Sequence, residues 1–186
     1  MFDTARHSQL VDEVFALAPV IPVLAIDRLE DALPLCRALA DNGLPVLEIT
    51  LRTACALDAI ALVARELPHA CVGAGTVLSA TDLANVADAG ARFAISPGAT
   101  DTLFNAAKAS AVPLIPGIAT ASELMRGIEH GWRRFKFFPA ESSGGIGALK
   151  GVGGPLPRAR FCPTGGIDAA KAPAYLALPN VACVGG

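Results

Sequence analysis

Lys136 stands among three phenylalanines in Arg134-Phe135-Lys136-Phe137-Phe138-Pro139, a run apolar enough to read as a buried strand. Burial disfavours the charged form of an amine, so a lysine there can be partly neutral near pH 7 and able to attack a carbonyl carbon. The product of that attack is a Schiff base. Taken alone, the hexapeptide favours a blander reading, a lysine that guards an apolar strand edge against aggregation. A second stretch shifts the balance. In Val46-Leu47-Glu48-Ile49-Thr50-Leu51-Arg52, the strand period of two puts Leu47, Ile49 and Leu51 on one face and Glu48, Thr50 and Arg52 on the other. Three successive polar residues on a buried face are costly unless they are paired or used. An internal Glu–Arg ion pair is the structural alternative. The same period puts Lys136 and Phe138 on one face and Phe135 and Phe137 on the other. A carboxylate and an amine converging from two strands suit covalent carbonyl chemistry that needs a proton shuttle.

The elements that must position these residues recur regularly. Short apolar runs begin near Val20, Pro45, Cys71, Phe93, Pro113, Arg134, Arg160 and Asn180, each but the last followed by a helical pattern. Such alternation predicts βα units and a parallel sheet. A leading helix is expected over Ser8 to Ala18, ending at Pro19. Asp27 with Glu30 and Thr120 with Glu123 have capping-box spacing, and Ser79, Thr100 and Asp168 can each cap a first turn. Gly43, Gly90 and Gly131 stand where helices should close. Pro34 predicts a kink or late start in its helix, and the glycine-rich segment Ser142 to Pro157 a long loop with at most a short helix.

Eight such units in one domain, residues 1–186, predict a (β/α)8 TIM barrel with an extra N-terminal helix and without an eighth helix after Val184-Gly185-Gly186. Barrels of this kind usually run to about 250 residues, so the encoded chain is expected to continue past Gly186.

Glycines gather at three expected strand ends: Gly73-Ala74-Gly75-Thr76, Thr164-Gly165-Gly166 and Gly185-Gly186. Strands seven and eight commonly supply the phosphate site of such a barrel, through bare backbone N–H groups, which predicts a phosphorylated substrate. Tight turns are the alternative for any one cluster. Gly73-x-Gly75 is no dinucleotide fingerprint, because Leu78 takes the place of the third glycine.

Composition narrows the rest. The chain is 53% hydrophobic and 17% charged, with a mean hydropathy of +0.49, enough apolar matter for a large core. It has no uninterrupted apolar run long enough to span a membrane and no basic-then-apolar leader. A formal charge of −2 and no basic block beyond Arg133-Arg134 argue against nucleic acid. Five singly placed cysteines fit reduced thiols in a cytoplasmic protein, and His7, His69 and His130 have no second ligand at metal-binding spacing, so no metal is expected.

With these residues in view, the chain resembles the 2-keto-3-deoxy-6-phosphogluconate aldolase family, also active on 4-hydroxy-2-oxoglutarate. The likeness runs from Ile21-Pro22-Val23-Leu24 to Gly186. It includes Leu47-Glu48-Ile49-Thr50-Leu51-Arg52-Thr53, Gly73-Ala74-Gly75-Thr76-Val77, Ser96-Pro97-Gly98, Phe135-Lys136-Phe137-Phe138-Pro139-Ala140 and Phe161-Cys162-Pro163-Thr164-Gly165-Gly166-Ile167. The resemblance implies a class I aldolase of the Entner-Doudoroff pathway, a homotrimer of barrels without cofactor or metal. Its substrate would be a phosphorylated 2-keto-3-deoxy sugar acid, cleaved to pyruvate and glyceraldehyde 3-phosphate. Lys136 matches the Schiff-base lysine and Glu48 the general acid/base. Arg52 and Thr76 match pyruvate-binding positions, and Pro97, Phe138 and Thr164 line the same pocket. Gly165, Gly166, Gly185 and Gly186 match the phosphate-binding glycines. In the family a Ser-Trp pair and a final helix follow the Val-Gly-Gly, the serine helping to hold phosphate. Alternatives are an aldolase for the galactonate epimer, a phosphosugar epimerase, for which the paired carboxylates or metal ligands are missing, and a non-catalytic phosphosugar-binding barrel.

Overall fold

Strands with apolar residues on both faces leave a parallel sheet no side to show to water, and the chain meets that demand by rolling the sheet into a ring. The computed structural model describes residues 2–186. The first strand is broken by Pro22 into β1 (Val20–Ile21) and β2 (Val23–Leu24); β3 (Val46–Thr50), β4 (Cys71–Gly75) and β5 (Ala94–Ile95) follow. Pro116 divides the fifth strand into β6 (Leu114–Ile115) and β7 (Gly117–Ile118), and β8 (Arg134–Phe137), β9 (Arg160–Pro163) and β10 (Val184–Gly185) complete the series. Pairing is parallel throughout, from β2 through β3, β4 and β5 to β6, and from β7 through β8 to β9. The bridges Phe161↔Val181 and Thr164↔Gly185 join β9 to the eighth strand, and β10 pairs with β1. The circuit is closed, as a (β/α)8 barrel requires.

Both prolines keep the ring intact on their acceptor side. Proline has no N–H to donate, but the Pro22 carbonyl accepts from Glu48 N at 2.9 Å and the Pro116 carbonyl from Lys136 N at 2.9 Å. The two residues singled out for chemistry therefore each sit beside a neighbouring proline.

Helix α1 (Thr4–Ala16) precedes the barrel, and α2 (Leu29–Asp41), α3 (Ala56–Glu66), α4 (Ala80–Asp88), α5 (Asp101–Ala107), α6 (Ala121–Glu129), α7 (Gly145–Gly153) and α8 (Ala172–Leu176) follow successive barrel strands. Side chains alternate along the strands. Leu47, Ile49, Val72, Ala74, Phe135, Phe137 and Phe161 pack against the outer helices. Ile21, Val46, Cys71, Phe93, Ile95, Ile115, Cys162 and Cys183 fill the lumen near the strand starts, where Val11, Val14, Phe15 and Ala18 join them. Helix α1 thus stoppers one mouth of the barrel, tied to β8 by the Asp12–Arg134 ion pair.

Several local expectations need correction. The leading helix runs over Thr4–Ala16 because Asp3, not Ser8, caps it, accepting from the N–H groups of Ala5 and Arg6. Asp27 caps nothing: Arg28 is the N-cap of α2 and makes no side-chain cap bond, and its guanidinium takes the Glu30 carboxylate that a box would require. Pro34 lies inside α2, which begins at Leu29, so the helix does not start late. The segment expected as a loop with at most a short helix holds the nine-residue α7, and Asp168 binds the N–H groups of Ala170 and Lys171 in the turn before α8. The eighth strand does begin near Asn180, whose carbonyl accepts from Phe161 N at 2.8 Å, and it goes on to pair with β1 at Val184–Gly185. The boxes at Thr120–Glu123 and at Ser79, here with Asp82, are present, as is the Thr100 cap.

Candidate active site

The second barrel strand turns Glu48 and Thr50 into the lumen between the apolar floor and the open mouth. Glu48 is 1% exposed and Lys136 6%, and Lys136 Nζ donates to Glu48 Oε1 across 3.0 Å. The amine also lies 5.1 Å from the centre of the Phe138 ring, which favours a cation electrostatically. At 3.0 Å an amine and a carboxylate can exchange a proton directly.

Two glycines make this pairing possible. A Cβ on Gly75 would fall 2.2 Å from Glu48 Oε1, and a Cβ on Gly73 2.5 Å from the Phe93 ring. The glycines of β4 are therefore gaps in the lumen wall that the Glu48 carboxylate and the Phe93 ring fill. Neither has a positive φ, so space rather than backbone freedom is what the position demands.

At the open rim, Thr50 Oγ1 donates to the Leu24 carbonyl at 2.8 Å, and Arg52 Nε donates to Thr50 Oγ1 at 3.1 Å. The internal Glu–Arg pair considered above is not formed, since Glu48 pairs with Lys136. Among the described residues Arg52 has no carboxylate partner, which leaves its outer nitrogens available to an anion. Thr76, the residue after β4, has φ +60°, a left-handed conformation unfavourable for a β-branched residue and costing on the order of 1–3 kcal/mol. Pro97 is half-buried, and its carbonyl lies so close to the fifth strand that a Cβ on Gly117 would sit 2.2 Å from it.

The remaining glycines divide into two kinds. Gly165 and Gly166 follow the buried Thr164 with φ +104° and +77°, and among the described residues neither N–H has a hydrogen-bond acceptor. Successive free N–H groups in a turn can form an anion-binding concavity. Gly185 makes room for Thr164, whose Oγ1 a Cβ there would meet at 2.3 Å. Gly186 has its N–H committed to the Ile21 carbonyl at 3.2 Å, so in this structure it offers no donor to a ligand. That is a departure from the expected four-glycine phosphate grip.

Thiols lie below the amine. Burial, then the neighbouring Cys162 thiol and the Glu48 charge, push the Cys183 thiol up, so it stays protonated and is no nucleophile. Among the described residues no three His, Cys, Asp or Glu side chains gather as a metal site would need.

The model for the family "KDPG and KHG aldolase" matches residues 11–186. The chain belongs to that family. The KHG/KDPG aldolase of Escherichia coli (strain K12) is 53% identical over 175 residues, covering 94% of this chain and 82% of its relative. A 2-dehydro-3-deoxy-phosphogluconate aldolase of Dickeya dadantii is 54% identical with the same coverage. Among solved structures, a KDPG aldolase from Legionella pneumophila, with pyruvate captured at low pH as a covalent carbinolamine intermediate, superposes with a TM-score of 0.92. It is 53% identical, over 94% of this chain and 85% of the other. A 2-keto-3-deoxy-6-phospho-gluconate aldolase from Zymomonas mobilis also superposes with a TM-score of 0.92, at 51% identity over 95% of this chain and 85% of that one. Both aldolase structures share the barrel described above.

Proposed function

We propose that this chain is a class I aldolase that cleaves 2-keto-3-deoxy-6-phosphogluconate to pyruvate and glyceraldehyde 3-phosphate. The observation that carries the reading is the buried contact of Lys136 Nζ with Glu48 Oε1 at 3.0 Å in a one-mouthed barrel. Lys136, its proton passed to Glu48, attacks C2 of the keto acid. Glu48 returns that proton to the C2 hydroxyl of the carbinolamine, which leaves as water, and an iminium remains. The Glu48 carboxylate then removes the C4 hydroxyl proton. The C3–C4 bond breaks, its electrons are taken up by the iminium, and the aldehyde departs. Protonation of the enamine at C3 and hydrolysis release pyruvate and free Lys136.

Arg52 and Thr76 are proposed to fix the substrate carboxylate, holding C2 within reach of the amine and countering the negative charge. Pro97, Phe138 and Thr164 would wall the same pocket, and the free N–H groups of Gly165 and Gly166 would receive the phosphate. The same lysine and carboxylate would serve 4-hydroxy-2-oxoglutarate, which has no phosphate, and a C4 epimer of the sugar acid would meet the same residues. Residues 1–186 would act as one catalytic barrel, in a cytoplasmic homotrimer. Exposed Leu78 and Met125 are apolar surface that such an assembly could cover. Among the described residues no helix is long and apolar enough to cross a membrane.

Borohydride reduction in the presence of pyruvate tests the reading. The peptide that contains Lys136 should gain the mass of the reduced adduct, and an unmodified Lys136 peptide overturns the Schiff base. Turnover of the gluconate and galactonate acids side by side assigns the epimer.

A further inference from the structure

Three side chains outside the lumen hold the Gly165–Gly166 turn from behind. Lys171, at the N-cap of α8, donates from Nζ to the Gly166 carbonyl at 2.7 Å and lies 2.8 Å from Glu141 Oε2. Tyr175, one helical turn further on, donates its hydroxyl to the other oxygen of the same carboxylate, Glu141 Oε1. Glu141 also donates its main-chain N–H to the Gly165 carbonyl at 3.1 Å. Both carbonyls of the glycine pair are thereby tied down.

Tying a carbonyl aims an N–H. A peptide is planar and trans, so the carbonyl of one residue and the N–H of the next point in opposite directions. The bond from Glu141 N to the Gly165 carbonyl fixes the Gly166 N–H, and the bond from Lys171 Nζ to the Gly166 carbonyl fixes the Ile167 N–H, which has no acceptor of its own among the described residues. Gly166 is packed closely against this support, since a Cβ there would lie 2.8 Å from Glu141 Cγ. Charge matters as much as geometry. Glu141 is a carboxylate beside a turn built to receive an anion, and the Lys171 ammonium neutralises it. The pairing holds Glu141 below the usual carboxylate range and raises Lys171, so both stay charged at neutral pH.

We infer that Lys171, anchored by Glu141 and Tyr175, is a positioning residue for the phosphate end of the substrate, setting affinity for a phosphorylated keto acid without acting on carbon–carbon cleavage. The inference rests on the phosphate reading of the Gly165–Gly166 turn proposed above. Without Lys171, the Gly166–Ile167 peptide is free to rotate and an uncompensated carboxylate is left behind the turn that receives the phosphate.

Steady-state kinetics on 2-keto-3-deoxy-6-phosphogluconate and on unphosphorylated 4-hydroxy-2-oxoglutarate test it. Lys171→Met should raise KM for the phosphorylated acid by about tenfold, the weight of one charge-assisted hydrogen bond, with kcat within about twofold of wild type. KM and kcat for the unphosphorylated acid should both stay within about twofold, and Lys171→Arg should recover part of the loss. Tyr175→Phe, which removes one hydrogen bond and no charge, should shift KM the same way by about threefold and keeps the test open if Lys171→Met fails to fold. Equal rises in KM for the two acids, or no rise in either variant, overturn the inference. If the wild type shows no preference for the phosphorylated acid, the phosphate reading itself falls and takes the inference with it. A preference that is present in the wild type and survives both substitutions removes only the role of Lys171.

Discussion

The Glu48 carboxylate occupies space that Gly75 leaves empty: a Cβ on Gly75 would lie 2.2 Å from Glu48 Oε1, the same oxygen that accepts from Lys136. Gly75→Ala should therefore fold, since its φ is not positive, yet displace the carboxylate and lower kcat by ~10²-fold, the usual cost of losing a positioned acid/base. Glu48→Gln should slow the enzyme by at least about as much. Wild-type turnover in a folded Gly75→Ala protein would show that the proton shuttle does not depend on this fit.

Acid should unfold the protein partly through His7. Its ring is buried against Phe2 and Trp132, Nε2 bonds the Leu114 carbonyl at 3.0 Å, and Nδ1 has no partner. Burial first, and the Arg134 charge to a smaller degree, push its pKa down to about 4, against the Leu114 bond, which raises it. The unfolded chain takes up this proton near pH 6.5. The stability that His7 contributes is thus complete above about pH 6.5, falls as the pH drops toward the folded value and is gone below it, ~3 kcal/mol in all. His7→Phe should flatten the fall in urea midpoint between pH 7 and pH 4.5. The Leu114 carbonyl keeps its bond from Trp132 Nε1 at 2.9 Å in that variant. An unchanged slope would assign acid lability to other groups.

Helix α1 should matter more for stability than for chemistry. Phe15 is 3% exposed and packs on the lumen floor with Ile21, Val46 and Phe93. Phe15→Ala should cost ~3–5 kcal/mol, read as a lowered Tm, while KM at low temperature changes little. A large KM change without loss of stability would mean that the floor shapes the pocket.

The thiols should be silent in the native state. Burial pushes Cys36 up to about 11 and also raises Cys71 and Cys183. Cys162 is buried as well, and only Cys55 is half-buried. A chromogenic disulfide reagent at neutral pH should titrate Cys55 alone, slowly because its Sγ donates to the Ile26 carbonyl at 3.1 Å, and all five in urea. Rapid reaction of more than one native thiol would reveal an opening of the barrel.

The meeting of Lys136 and Glu48 was legible in the sequence because a period of two is rigid: once both strands lie in one parallel barrel, their inward faces follow. Capping was legible where partners sit three residues apart, as at Thr120 and Glu123. It failed at Asp27, because Arg28 competes locally for Glu30. Helix α7 was legible only as a short helix at most, because its glycines weaken the local signal and tertiary contacts such as the bond from Asn180 Nδ2 to the Leu149 carbonyl help to hold it. Gly75 and Gly185 look like turn residues in the sequence, and only the facing strand shows them to be room for Glu48 and Thr164. The support of the Gly165–Gly166 turn joins residues far apart in the chain, Glu141 with Lys171 and Tyr175. The helical spacing of the last two is its one local trace.

The pairing of Val20 with Val184 joins the first barrel strand to the eighth, and a contact of so large a sequence separation should be slow to form. Strand pairs between sequence neighbours can form while a chain is still being synthesised, but this one waits for the last strand, and the entropy of so large a loop must be met in a single event. Until then the half-made barrel has two open strand edges and an unsealed interior, the state in which association with other chains competes with folding. Aggregation during refolding should therefore track the closure of this seam, and substitutions at β1 or β10 should slow it more than changes elsewhere in the ring.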